Sequence, residues 1–452
     1  MTEHFDNSSD RAVCILGMGY VGLTLAVVMA ERGFRVFGAE INPKTLAKIS
    51  DGAPHFFEQG LEVRLRRALK AGTLKFVPRV ADIPADARPS VYVITVGTPL
   101  GADQRPRMDM VDNVASEVAS QMPDGALVVL RSTVRLGTTR AVVLKRLQES
   151  GKLFGLAYCP ERTLEGKALE ELISLPQIVG GLTDTDMWRA TAIFQRLTPT
   201  IIKVSSLEAA EVIKLLDNSY RDHMFAFGNE VALLCDAAGL DGIEVIRAAN
   251  TGYERTKIAM PGFVGGPCLH KDPHILEDSL RQFDFVPTLV KAGRALNESL
   301  SEHVIDMILR ELPEGAQLAN AKITICGVAF KGRPETDDTR ATPVLELVAA
   351  LRKRFPGCTL CGQDFAVADA GIAELGIAPV TIEQGFRDAS MVIVANNNAK
   401  YQWLQLDALA ATMQRPAVVF DVWSVLPMDE TATEVEGVAM RRLGSSKAWG
   451  RH

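Results

Sequence analysis

The stretch Gly262-Phe263-Val264-Gly265-Gly266-Pro267-Cys268-Leu269-His270-Lys271-Asp272 sets a thiol directly after two glycines and a proline, with a Lys-Asp pair three residues beyond it. Gly265 and Gly266 can take backbone angles closed to other residues and let a ligand come close to the main chain. Pro267 fixes the backbone just ahead of the sulfur. Positive charge at His270 and Lys271 would favour the thiolate, which is the nucleophilic form. The competing reading is a buried structural cysteine beside a loop. Nucleophilic chemistry prevails only if the rest of the chain supplies an electrophile and a cofactor.

A cofactor is indicated at the other end of the chain. The apolar run Ala12–Leu16 leads straight into Gly17-Met18-Gly19-Tyr20-Val21-Gly22, a helical stretch follows over Leu23–Glu31, and a second strand over Arg35–Ala39 ends on Glu40. Between a strand and a helix, with an acid 18 residues beyond Gly22, the glycine pattern is that of a dinucleotide site. The glycines permit the tight turn and bring a pyrophosphate to a helix N-terminus. Glu40 would accept hydrogen bonds from the adenosine ribose and repel a 2′-phosphate, which favours NAD over NADP.

Further strands are expected at Val91–Thr95, Leu127–Leu130 and Leu156–Tyr158, ending in Thr98, in Ser132 and Thr133, and in Cys159-Pro160-Glu161-Arg162. Hydroxyls and acids at strand C-termini lie where ligands bind in open α/β sheets. Alternation to about residue 200 describes a doubly wound parallel sheet. The segment Ser205–Ala238 then reads as one long helix, with Lys214 and Asn218 on one face. Spacing alone favours a solvent-exposed salt-bridged stripe of Glu208, Glu211, Lys214, Asp217 and Arg221. Helices over Gly242–Ala249 and Phe285–Leu312 flank the cysteine loop. Alternation resumes at Lys322–Cys326, Thr359–Gly362, Met391–Ala395 and Ala417–Asp421, and the tail from Arg441 is expected to fray.

The fold class is therefore α/β, with two doubly wound Rossmann-like domains joined by a helical central domain: 1–203, 204–314 and 315–452. Length suits about three domains. A net charge of −6 and a pI near 5.8 argue against nucleic-acid or anionic-membrane partners. No apolar run approaches the ~18 residues of a membrane span, and a signal peptide is not expected at the acidic, polar N-terminus. Seven scattered cysteines form no disulfide framework. Cys358-Thr359-Leu360-Cys361 lacks the second pair a metal site would need, so no metal is expected. A cytoplasmic location is the expectation. The apolar content of the long helices suggests a homodimer or higher homo-oligomer.

Together these residues resemble the nucleotide-sugar 6-dehydrogenases, the UDP-glucose/GDP-mannose dehydrogenase family. The resemblance runs from about Arg11 to Asp421 and rests on the Gly17–Gly22 motif, Pro160-Glu161, Gly265–Asp272 and the run from Ala329 to Pro343. It implies oxidation of a sugar C6 alcohol to the carboxylate by two hydride transfers to NAD. Cys268 would form a thiohemiacetal and then a thioester. Lys214 and Asn218 would stabilise the oxyanion, Asp272 would take a proton through water, and Glu161 would position or activate the hydrolytic water. Thr98, Thr133, Lys271 and Arg340 match positions near NAD. Phe330 and Lys331 match positions on the substrate nucleotide, Phe263 and Gly265 lie in a loop over the sugar, and Arg162 belongs to the substrate end. Arg255 resembles an arginine that reaches a neighbouring subunit's substrate.

The Cys159–Arg162 segment with Gly166-Lys167-Ala168 looks like the UDP-N-acetylhexosamine branch, with UDP-N-acetylmannosamine as the expected substrate. The Lys271-Asp272 pair is more usual in UDP-glucose and GDP-mannose enzymes, and Trp423 stands where UDP-glucose enzymes carry arginine. UDP-glucose 6-dehydrogenase, a two-electron hydroxy-acid type of dehydrogenase, and a nucleotide-binding regulator without turnover remain as alternatives.

Overall fold

Short, mostly β-branched runs bounded by glycine turns become buried strands, as continuous apolar runs do in parallel sheets. A computed structural model describes residues 8–312, 318, 320–428 and 435–445. The first sheet contains β1 (Ala12–Leu16), β2 (Arg35–Ala39), β3 (Leu74–Val77), β4 (Val91–Ile94), β5 (Ala126–Leu130), β6 (Phe154–Tyr158), β7 (Gln177–Gly181) and β8 (Ile201–Val204), in the order 3-2-1-4-5-6-7-8. All neighbours are parallel except β6 and β7, so the last two strands run against the rest. The second sheet contains β9 (Lys322–Cys326), β10 (Thr359–Gln363), β11 (Ala378–Pro379), β12 (Met391–Val394), β13 (Ala417–Asp421) and β14 (Val438–Arg442), ordered 11-10-9-12-13-14 and parallel throughout. Both sheets reverse strand order beside their first strand, which creates a crevice at the strand C-termini for a ligand. The expected α/β architecture, two sheets separated by a helical region, is the one observed.

Strand alternation sends side chains to two cores per sheet. In the first sheet Val13, Ile15, Val91 and Val93 face one way, and Cys14, Leu16, Tyr92 and Ile94 the other. The chain divides into two compact units, one of residues up to Asp217 with His274–Val286, the other of Asn218–Pro273 with the residues from Pro287 onward. Among the described residues no helix is long and apolar enough to cross a membrane.

Several boundaries differ from expectation. The first helix begins at Tyr20, inside the glycine motif, rather than at Leu23. Arg441 and Arg442 belong to β14 and are not a frayed tail; residues from 446 lie outside the described ones. β11 carries Pro379 and is accordingly an edge strand.

The helix Leu207–Ala238 overturns the exposed salt stripe. Its polar side is the buried one: Glu211, Lys214, Asn218, Asp222 and Asn229 are all buried. Glu211 accepts from the main-chain N–H of Gly137 and of Thr139 at 2.5 and 2.7 Å. Glu208 pairs with Arg140 at 2.7 Å, and Asp217 with Arg162 at 3.3 Å, so the charges are matched by other elements and not along the helix. The outward face carries large apolar side chains, with Leu216 50%, Tyr220 65%, Phe227 48% and Leu234 61% exposed, and of the expected stripe only Arg221 is exposed there, along with Glu230.

Candidate active site

In the first unit the three glycines of the first turn serve different ends. Gly17 has φ +93°, which a side chain resists. A Cβ on Gly22 would lie 1.9 Å from the Gly17 carbonyl oxygen, whereas a Cβ on Gly19 would meet nothing within 4 Å. Gly22 thus lets the helix pack on the turn, and Gly19 leaves open the side a pyrophosphate approaches. Glu40, at the end of β2, accepts from Met18 N–H at 2.9 Å and Asn42 N–H at 2.8 Å. The acid expected to bind ribose also fastens the glycine turn. Tyr20 donates a short hydrogen bond to Glu58, and Gly166 N–H donates to the Tyr20 hydroxyl at 2.8 Å. Val21 is half-buried beside it.

Beyond β4 and β5, Thr98 donates to the Thr133 carbonyl at 2.6 Å and ties the two strand ends together. Beyond β6, Glu161 is buried against Arg131, whose Nε and Nη2 reach Oε2 at 3.2 and 2.6 Å. Its Oε1 accepts from the N–H groups of Arg162 and Thr163, both at 2.8 Å. Burial pushes this carboxyl up, but Arg131, the Thr163 N–H and the Lys214 charge outweigh it and hold the group below the usual carboxylate range. The Arg162 side chain turns to Asp217 and the Pro176 carbonyl.

In the second unit Asp272 is fully buried and bonded on both oxygens, to Asn218 Nδ2 at 2.5 Å and Lys271 Nζ at 2.8 Å. The Lys271 ammonium is therefore directed at this carboxylate. Cys268 lies in the short turn Gly266–Leu269. All seven cysteines are among the described residues, and Cys268 alone is exposed. Burial pushes the other thiols up, Cys159 to about 12. Gly266, at φ +90°, donates to the Ala341 carbonyl at 2.8 Å, and a Cβ there would lie 2.3 Å from the Phe330 ring. A Cβ on Gly265 would lie 2.6 Å from the Ala341 carbonyl oxygen. The thiol turn thus packs against the segment that carries Phe330 and Lys331, with Phe263 buried beneath it. Lys331 Nζ lies 5.2 Å from the Phe330 ring centre. Arg340 is exposed and forks onto Asp338 at 3.0 and 2.9 Å. Arg255 is also exposed, over the Tyr253 ring at 5.0 Å.

Two groups at these sites escaped the sequence reading. Arg131 was visible only as a charge at a strand end, and nothing in the spacing joins it to Glu161. Trp423 was seen as a departure without a role. Its ring sits against Gly262, where a Cβ would lie 2.3 Å from it, and its Nε1 donates to the Ala395 carbonyl at 3.1 Å.

Residues 11–198 match the NAD-binding domain of the UDP-glucose/GDP-mannose dehydrogenase family, residues 208–299 its central domain and residues 324–428 its UDP-binding domain. A UDP-N-acetyl-D-mannosamine dehydrogenase of Pyrococcus horikoshii is 34% identical over 413 residues, which cover 90% of this chain and 94% of that protein. The chain belongs to the UDP-glucose/GDP-mannose dehydrogenase family. A solved structure of a UDP-D-ManNAc dehydrogenase from P. horikoshii is similar at TM-score 0.86 and 28% identity, over 97% of this chain and 100% of that one. A UDP-glucose dehydrogenase from Pyrobaculum islandicum is similar at TM-score 0.83 and 25% identity, over 96% and 98%.

This UDP-glucose/GDP-mannose dehydrogenase family member is an NAD-dependent nucleotide-sugar dehydrogenase. The residues present fit NAD: the open side of Gly19 leaves room for a pyrophosphate, and Glu40 keeps lone pairs for a ribose beyond its two main-chain bonds.

Proposed function

We propose that this enzyme oxidises C6 of UDP-N-acetyl-D-mannosamine to the carboxylate through a thioester on Cys268. The exposure of Cys268, alone among seven thiols, carries the mechanistic reading. Relatives at 28–34% identity that are UDP-N-acetyl-D-mannosamine dehydrogenases support the sugar. The functional division we assign is 1–203 for NAD, 204–314 for the central helices and 315–452 for the nucleotide of the substrate.

Asp272 takes the C6 hydroxyl proton through a water, while Lys214 and Asn218 hold the developing oxyanion. Two NAD molecules in turn, each held by the Gly17–Gly22 turn and Glu40 and exchanged between the oxidations, would supply the hydride acceptors, one for the alcohol and one for the thiohemiacetal. Between those events Cys268 Sγ adds to C6 of the aldehyde. The thioester then yields to water, the C–S bond breaks, and carboxylate and free thiol result. Glu161 has four donors on its two oxygens, which supports positioning of the hydrolytic water and its loop over proton abstraction.

Gly17 to Gly22, Glu40, Thr98, Thr133, Lys271 and Arg340 are assigned to NAD. Arg162, Phe263, Gly265, Phe330 and Lys331 are assigned to the nucleotide sugar. The outward apolar stripe of the long helix supports a homo-oligomer, in which Arg255 would serve a neighbouring subunit.

A UDP-sugar panel followed by NADH absorbance tests the reading. UDP-N-acetyl-D-mannosamine should be preferred and give two NADH per sugar. One NADH with released aldehyde would overturn the four-electron reaction. A preference for UDP-glucose would install the second reading, which the Lys271-Asp272 pair and the Pyrobaculum islandicum structure favour.

A further inference from the structure

Behind the thiol turn, wholly within the second unit, lies a buried polar network that no catalytic step uses. Arg294, on the helix Thr288–Glu311, is 4% exposed. Its Nη1 donates to the Leu269 carbonyl at 3.1 Å and its Nη2 to the Val264 carbonyl at 3.3 Å, so one guanidinium grips the main chain on both sides of Cys268. Asp222 Oδ1, on the long helix, accepts from Nη1 at 2.7 Å, and Glu298 lies 3.2 Å from Nε. Asn229, fully buried on the long helix, pairs with Gly262 both ways: it accepts from the Gly262 N–H at 2.8 Å and donates to the Gly262 carbonyl at 3.1 Å. Asn297 joins the two anchors, accepting from Asn229 at 2.9 Å and donating to the Asp222 carboxylate at 3.0 Å. The Trp423 ring closes the opposite side of Gly262.

We propose that Arg294 and Asn229 are positioning residues that hold the Gly262–Leu269 loop so that Cys268 meets the substrate carbon in one geometry. Burying an arginine is costly unless its charge is paired and its donors are used. Here the compensation comes from Asp222 and from the carbonyls of this loop. A planar fork can hold two carbonyls and a carboxylate at once, and a lysine ammonium is a point charge that cannot reproduce it. A displacement of about 1 Å at a reacting group can cost about 10²-fold in rate. Gly262, Gly265 and Gly266 carry no side chains to restrain their own backbone, so main-chain bonds from the clamp supply order that those positions lack. The inference rests on the reading of Cys268 as nucleophile.

The test uses the full chain and two readouts: steady-state kinetics, and amide hydrogen exchange by mass spectrometry of the peptide spanning 262–272. Arg294→Lys should lower kcat by roughly 10- to 100-fold with KM for NAD unchanged. It should also speed exchange in 262–272 while leaving the strands of the first sheet as in wild type. Asn229→Ser should shift both readouts the same way, and it carries the test should Arg294→Lys not fold. Arg310→Lys, an exposed position on the Arg294 helix, should change neither. Wild-type exchange in 262–272 in a folded variant, or faster exchange there with unchanged kcat, would overturn the proposal. Failure of the nucleophile reading looks different: Cys268→Ser would retain turnover, while the exchange effect of Arg294→Lys would persist.

Discussion

Arg131 donates through two nitrogens to a single oxygen of Glu161, and neither side chain has more than a trace of solvent contact. The other oxygen holds two consecutive main-chain N–H groups. The pair therefore fixes the start of the loop after β6 as much as it presents a carboxylate. Removing the guanidinium leaves a buried charge uncompensated. Arg131→Met should destabilise the fold by about 3–5 kcal/mol in urea unfolding. Because the folded carboxyl lies below its ordinary value of 4.5, its contribution is present above that pH and fades as pH falls through the folded value. The stability gap between wild type and Glu161→Gln should be flat at neutral pH and shrink on acidification below 4.5. A gap that widens in acid would refute the assignment.

Cys268→Ser should keep the fold and bind NAD but fail at the second oxidation, because a serine alkoxide is far harder to form at neutral pH. Mass spectrometry should find released aldehyde or trapped sugar on the protein. Lys214→Ala should slow chemistry by about 10²–10³-fold with a smaller effect on substrate affinity. Replacing buried Cys14 or Cys326, or half-buried Cys358, should alter stability at most. Uronic acid formation by Cys268→Ser at the wild-type rate would end the thioester mechanism.

NAD should be used far better than NADP. Since Glu40 also holds the Met18 N–H, its removal should not convert the preference. Glu40→Ala should weaken NAD binding by about 10- to 100-fold, the worth of a charge-assisted hydrogen bond, without bringing NADP to parity. Titration of both dinucleotides by fluorescence checks this, and equal efficiencies in the wild type would contradict it.

The outward stripe of Leu216, Tyr220, Phe227 and Leu234 should lie in a subunit interface. Light scattering at micromolar concentration should report at least a dimer, and Phe227→Asp with Leu234→Asp should lower the mass. A monomeric wild type would remove both the interface and the neighbouring-subunit role for Arg255.

The parts of the fold legible in the sequence are those with local signals. The glycine turn, the strand runs and the extent of the long helix each declare themselves within a dozen residues. β3 and β8 escaped because each is four residues long and interrupted by a lysine, and β7 because it ends in two glycines. The candidate thiol was legible from its loop. The orientation of the long helix was not: a row of charges four apart reads the same whether it faces water or a polar interior. Only packing tells Glu211 on the Gly137 and Thr139 amides from a glutamate in solvent. Arg294 and Asn229 left no trace, and Arg131 only a charge at a strand end, because their partners are main-chain atoms or lie far away in the chain.

Lys214, Asn218, Asp222 and Asn229 follow one another along a single helix at steps of four, four and seven residues. At about 100° and 1.5 Å per residue, these steps return each side chain to nearly the same bearing. One inserted residue between Lys214 and Asn229 would swing everything downstream through more than a quarter turn. Asn229 would leave Gly262, and Phe227 would be driven inward. This segment should therefore accept changes of residue type at its outward positions but no change of length, whereas exposed turns such as Ala71-Gly72, where an added Cβ would meet nothing within 4 Å, should tolerate one far better. Insertion scanning along the gene would show it as a gap of about four turns in which no frame-preserving insertion survives.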